Sequence, residues 1–210
     1  MKTLAILAIS LFSQLSFASE EIANVIKGLS PHLEDKKASE YAIIIEKYSK
    51  GVVIGQDKKG NDIVVKVDWK VVVAICKQES DFVHGEITED FRDFGICQLN
   101  WRTIKHRKVD LGLLLTDVDY AFHETFVLLG ELKYKYNTNS RGHYQWFTRY
   151  HSYTMKTRRK YWYGRKRSGH DGLRYKFRMI ERLLRGEKAR PIAKERKRFK
   201  RSVQRLIHTR

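Results

Sequence analysis

Val71-Val72-Val73-Ala74-Ile75-Cys76-Lys77-Gln78-Glu79-Ser80-Asp81-Phe82 opens with an unbroken apolar run and closes on polar residues. Asp68 precedes the run as a helix cap, so Val71 to Ser80 reads as a helix that must pack in the core. Glu79 then falls where this buried helix meets an irregular segment containing His84-Gly85 and Phe94-Gly95. A carboxyl set against apolar neighbours is desolvated, which disfavours its charged form and raises its pKa. A raised carboxyl is what a proton donor needs to work near neutral pH. Most glutamates at helix ends are solvated instead, so placement alone makes Glu79 only a candidate.

Outward from this stretch, the chain reads as mainly helical. Ser30-Pro31 has the form of an N-cap with proline at the first helical position. The helix it predicts runs to about Lys50, with Tyr41, Ile44, Ile45 and Tyr48 on one face and Gly51 as the stop. Val52-Val53-Ile54 and Ile63-Val64-Val65 flank a turn-forming stretch from Asp57 to Asp62, which predicts a small hairpin over 52–67. Asp81 to Asn100 lacks helical periodicity and reads as loops or short strands. Phe122, Phe126, Leu129 and Leu132 place another helix over Asp117 to Tyr136. Short helices are expected at Tyr144–Tyr153 and Lys156–Gly164. Leu173, Phe177, Ile180 and Leu184 then mark a core-docking helix, and Gly186 and Pro191 separate it from an amphipathic basic helix.

The 210 residues suit one sizeable core with an appendage. Net charge is +18, and all of that excess sits between Lys156 and Arg210, where 22 Lys or Arg face only Asp171, Glu181, Glu187 and Glu195. Such an end suits an anionic polymer or surface, or serves simply as a solvated face. At the other end, Lys2, an apolar run over Thr3–Phe12 and Ser16-Phe17-Ala18 read as a secretory signal peptide cleaved after Ala18. The apolar run is too short to span a bilayer, and no later segment is long and apolar enough. The eight His lack useful ligand spacing and there is no phosphate-binding glycine loop, so neither a metal nor a cofactor is expected. Trp101, Trp146 and Trp162 are candidates for stacking on sugars, with core packing the commoner fate of such residues.

Ala74 to Phe82, an apolar helix ending in Glu-Ser with an aromatic soon after, resembles the Glu-Ser motif of the soluble lytic transglycosylases. Phe94-Gly95-Ile96-Cys97-Gln98-Leu99-Asn100 resembles that family's Gly-Leu-Met-Gln motif, and Arg149-Tyr150-His151-Ser152 lies where the family carries Tyr-Asn. Asp117 to Phe122 resembles the family's Asp-Pro-x-x-Asn helix start loosely. The resemblance covers Tyr41 to Arg167, and its most specific part is the pairing of Glu-Ser with Gly-x-x-Gln about sixteen residues later. It implies a mainly α, lysozyme-like fold, with the hairpin as an insertion and the basic end as a helical extension. The corresponding division is signal peptide 1–18, catalytic domain 19–167 and basic extension 168–210. It also implies a groove for alternating N-acetylglucosamine and N-acetylmuramic acid. Glu79 would be the acid and then the base, with Ser80 bracing the loop. Gly95 would admit a sugar close to the backbone. Gln98 would bind an N-acetyl group or orient Glu79, and Tyr150 would face them from the far side. Asn100 is a weaker candidate for the groove. His151 in place of asparagine and Cys97 in place of methionine depart from the family pattern.

The two cysteines are either buried thiols or, in an exported chain, one bridge. Cys76 lies three residues before Glu79, and Cys97 two residues after Gly95, on the strand that the resemblance sets against that helix. A Cys76–Cys97 bridge would therefore tie the acid to its substrate-binding residues. The family implies a single carboxylate and a 1,6-anhydro product. A hydrolase of the goose-type lysozyme kind would need a second carboxylate to position water, and Asp93 is the best placed of the loop acids Asp81, Glu86, Glu89, Asp90 and Asp93. The expected partner is peptidoglycan, met by an exported monomer in the periplasm or beyond, with other anionic envelope polymers open to the basic extension. A non-catalytic scaffold or an envelope- or nucleic-acid-binding protein are the rivals, and export argues against nucleic acid as a specific partner.

Overall fold

The longer helices of this chain bury apolar stripes, and their packing is set by which stripes face each other. The computed structural model describes residues 17–136, 146–151, 161–165 and 170–188. Helix α1 covers residues 17–29, α2 Asp35–Ser49, α3 Trp69–Glu79, α4 Trp101–Arg107, α5 Leu111–Thr116, α6 Val118–Tyr136 and α7 Leu173–Leu184. Strands β1 (Val52–Gln56) and β2 (Asp62–Val65) form the expected hairpin, β3 (Asp93–Phe94) and β4 (Leu99–Asn100) a second, and β5 (Gly164–Arg165) and β6 (His170–Asp171) a third.

The helix carrying Glu79 matches its reading closely. Asp68 caps it by accepting from the Lys70 N–H, and Val71 through Cys76 are all buried. Burial on every side is possible because α2 packs on one flank and α7 along another. Leu173 and Ile180 of α7 are fully buried in the same core, so the basic end begins with a helix built into the molecule. The long α6 is the second axis: α2, α5 and the first hairpin all lie against it. Gly130 makes room for the hairpin, since a Cβ there would sit 2.8 Å from Ile54 Cγ2. The turn of that hairpin is knitted by Asp57 Oδ1, which accepts from the N–H groups of Lys59 and Asn61.

Two expectations need correction, and one helix was not foreseen. The second helix starts at Asp35, because Ser30 and Pro31 belong to a turn closed by Leu33 N–H donating to Ser30 C=O. The Ser30 hydroxyl is turned to Asp81 instead of capping. Residues 17–29 form a core helix, with Ile22, Val25, Ile26 and Leu29 buried, and Phe17 and Ala18 lie within it. Gly95 to Gln98 form the tight turn between β3 and β4 in place of a strand, because Gly95 (φ +79) and Gln98 (φ 54) both reverse the chain. The signal-peptide reading over 1–16, parts of the short helices expected at 144–153 and 156–164, and the amphipathic basic helix after Pro191 lie outside the described residues. Of those short helices, Trp146–Arg149 is a 3-10 turn and residues 161–163 are helical. No helix among the described residues is long and apolar enough to cross a membrane.

Candidate active site

Glu79 is the last residue of α3, and the backbone beyond it turns away at once. Ser80 has its N–H on Cys76 C=O, and Asp81 (φ 57) and Phe82 (φ 64) are consecutive non-glycine residues in the left-handed region. Such residues cost energy that surrounding contacts must offset. Here Phe82 is buried to 1% exposure, and Asp81 is held by Lys77 Nζ and Ser30 Oγ. The sharp exit leaves Glu79 at the edge of the core.

Four ties fix the Gly95–Gln98 turn beside this edge. The Cys76–Cys97 disulfide joins it to α3 with Cα atoms 4.2 Å apart. The buried Ser80 hydroxyl donates to Ile96 C=O. Tyr150 OH donates to Cys97 C=O at 2.7 Å. Gln98 Nε2 folds back onto Gly95 C=O (2.8 Å) and Glu86 C=O (3.1 Å). Gln98 therefore spends its amide donors on the loop and does not hold Glu79. Gly95 is required by its backbone and by space, since a Cβ there would lie 3.2 Å from Leu114 C=O.

The Glu79 carboxyl is pushed up to about 7, first by burial and then by the negative charge of Asp93, with Tyr161 opposing. Its side chain keeps 17% of its surface open, so one edge reaches solvent while the rest is enclosed. Tyr161 OH and Glu79 Oε1 are each buried with no hydrogen-bond partner, so the pull from Tyr161 is a loose polar approach. Burial also raises Tyr150 and Tyr161 well above the usual tyrosine range, with the Glu79 charge adding to both. His151 stacks flat on Tyr161, with ring centroids 4.5 Å apart and planes 5° from parallel. Its Nδ1 lies 3.8 Å from Glu79 Oε1.

Of the loop acids, only Asp93 acts on Glu79. Asn100 Nδ2 donates to Asp93 Oδ1 at 2.8 Å while Asn100 Oδ1 caps α4 through the Arg102 N–H. Asn100 thus orients the second carboxylate. Glu89 and Asp90 are exposed rim residues, and Asp81 is engaged by Lys77. Trp101, next in sequence, is 47% exposed, while Trp146 is buried and Trp162 packs against Phe147 and Phe177. Two surface depressions lie away from Glu79, one between α1 and the end of α7 and one around His84. No cluster of His, Cys, Asp or Glu among the described residues has the form of a metal site.

The structure therefore brings Glu79, Gly95, Gln98, Tyr150, Cys76, Cys97, Asp93 and Asn100 into one neighbourhood. Tyr161 belongs to it and was not singled out from sequence, where the only hint is the density of aromatic residues around 161–163. An enclosed, raised carboxyl with one open edge and a second carboxylate nearby is equipped to deliver a proton to a bound leaving group. No protein-family model matches the chain, and neither a curated protein nor a solved structure does.

Proposed function

We propose that the chain is a peptidoglycan lytic transglycosylase that cleaves the β-1,4 bond between N-acetylmuramic acid and N-acetylglucosamine. The observation that carries this reading is the Glu79 carboxyl, raised to about 7 at the open end of a buried helix. The resemblance of its Glu-Ser, Gly-x-x-Gln and Tyr segments to the soluble lytic transglycosylases supplies the substrate class, and with it a lysozyme-like groove.

In this reading Glu79 protonates the glycosidic oxygen, and the leaving sugar departs with that proton. The 2-acetamido group of the muramic acid stabilises the cation that develops at C1. The Glu79 carboxylate then takes the C6 hydroxyl proton as that oxygen closes on C1, which gives a 1,6-anhydro end and restores the acid. No water is consumed. The Gly95–Gln98 turn lines the substrate, and the exposed Trp101 ring offers a face for a sugar. The substrate lies outside the cytoplasm, which agrees with a chain that is exported and forms a disulfide. The basic end would hold the anionic wall while the neutral part cuts.

Asp93 supports a second reading. Held by Asn100 and felt by Glu79, it is placed to orient a water, which would make the enzyme a muramidase-type hydrolase. Digestion of purified sacculi with mass analysis separates the readings. Fragments with 1,6-anhydro ends are expected, and reducing ends would assign the hydrolase. Glu79→Gln should lower the rate by at least about a hundredfold. Full activity in that variant would remove Glu79 from the mechanism.

A further inference from the structure

Phe91 is the most open large apolar side chain among the described residues, at 72% exposure, and its backbone lies in the left-handed region with φ 52. A bulky residue in that region is an outlier, and packing around it normally offsets the strain. Phe82 is offset in this way by burial, whereas the Phe91 ring is in solvent. The turn that carries it is firmly knitted all the same. Thr88 N–H donates to Asp93 C=O, and Phe91 N–H to Thr88 C=O. The Thr88 hydroxyl donates to Asp90 Oδ1 and accepts from the Arg92 and Asp93 N–H groups. Glycine would make such a turn without strain, so the ring itself is what the position supplies.

Trp101 lies beside this turn, with its N–H on Arg92 C=O at 2.6 Å. Its ring leans on that of the buried Phe94, with centroids 6.2 Å apart, and nearly half of the residue stays exposed. Asn100 holds Asp93, the carboxylate that acts on Glu79. Trp101 follows that pair by one residue and Phe91 precedes it by two, so both rings lie on the chain just beyond the candidate site. Residues 86–93 carry Glu86, Glu89, Asp90 and Asp93 against Arg92 alone, which disfavours an anionic lipid surface. Asp90 and Arg92, at the tip, pair at 3.4 Å. Aromatic faces rimmed by such groups suit an uncharged pyranose. Its C–H face packs on a ring, and its hydroxyl and acetamido edge takes hydrogen bonds.

We infer that Phe91 and Trp101 form a sugar platform, beyond the cleavage site, for an N-acetylglucosamine residue of the strand that Glu79 cuts. The knitted turn fixes the backbone under Phe91 before the strand arrives, so binding has less left to order. The inference rests on the glycan-cleaving reading for its substrate, and its first test needs no turnover.

Phe91→Gly removes the ring and suits the positive φ, so the variant should stay folded, with a melting temperature within a few degrees of the wild type. Phe91→Leu keeps apolar bulk and the strain without an aromatic face, and Phe91→Tyr restores the face. Titration calorimetry of the full chain with the β-1,4-linked tetramer of N-acetylglucosamine reads the affinity. The tetramer is uncharged, so the basic end has no charge on it to attract. Kd should rise about tenfold in Phe91→Gly, Phe91→Leu and Trp101→Ala, and stay within about twofold in Phe91→Tyr. With sacculi as substrate, Phe91→Gly should raise KM without a matching loss in kcat. A tetramer that binds Phe91→Gly or Phe91→Leu as tightly as the wild type, or does not bind the wild type, would overturn the inference. Cutting at unchanged KM in Phe91→Gly would keep the enzyme and remove the platform. Binding that depends on Phe91 in a protein that cuts no glycan would keep the platform and remove the glycan-cleaving function.

Discussion

Glu79 makes the folded chain sensitive to pH through one side chain. Its folded pKa, about 7, lies above the ordinary value of 4.5, so the folded state holds a proton that the unfolded chain releases. The stability from this proton is present in full below pH 4.5, declines as the pH rises, and is gone above 7. Glu79→Gln removes the ionisation, so denaturant melts from pH 4 to 8 should show the variant gaining on the wild type across that window. The gain should reach about 3 kcal/mol at the alkaline end and add nothing further below pH 4. A constant difference across the range would mean that Glu79 is not desolvated. Glu79 was legible in the sequence because an apolar run of six residues forces its neighbours inside. His151 was visible only as a departure from the Tyr-Asn pattern. Its approach to Oε1 depends on Tyr161, ten residues on, and no periodicity encodes that stacking.

At the scale of elements, the decisive unit is the pair formed by α3 and the Gly95–Gln98 turn. The disulfide closes a loop with a sequence separation of 21, which in the chain-entropy view stabilises the fold by about 3 kcal/mol. Cys76→Ala with Cys97→Ala should lose a comparable amount in urea melts. Its kcat should fall as well, because the turn is then held to α3 mainly by Ser80. Unchanged activity would show that Ser80 and Tyr150 suffice to hold the turn. The hairpin, α3 and α6 were legible because β-branched runs, caps and stripes agree there. Helices α4 and α5 were not, since seven and six residues are too few to show a stripe. Their starts rest on Asn100 and Asp110, whose side chains accept from Arg102 and Leu113. The stripe of α1 was not read from the sequence, and Ser30 was read as a cap when its hydroxyl belongs to Asp81.

Across the whole molecule, the basic charge and the core meet at α7. Its buried face lies on α3, while Arg174, Arg178 and Arg185 are exposed. Its end is closed by Arg182 and Arg185 bonding Glu187. Truncation after Lys188 should therefore leave the melting temperature within a few degrees. The same truncation should weaken binding to sacculi at low salt, measured by co-sedimentation. Binding that persists undiminished would relieve the basic end of any role in holding the wall. The Cys76–Cys97 link carries a last consequence. A bond between two thiols persists only where the surroundings are oxidising, so the freshly made chain lacks it inside a reducing cytoplasm. Under the proposed function, the brace between the Glu79 helix and the Gly95–Gln98 turn would close only in an oxidising compartment such as the one where peptidoglycan lies.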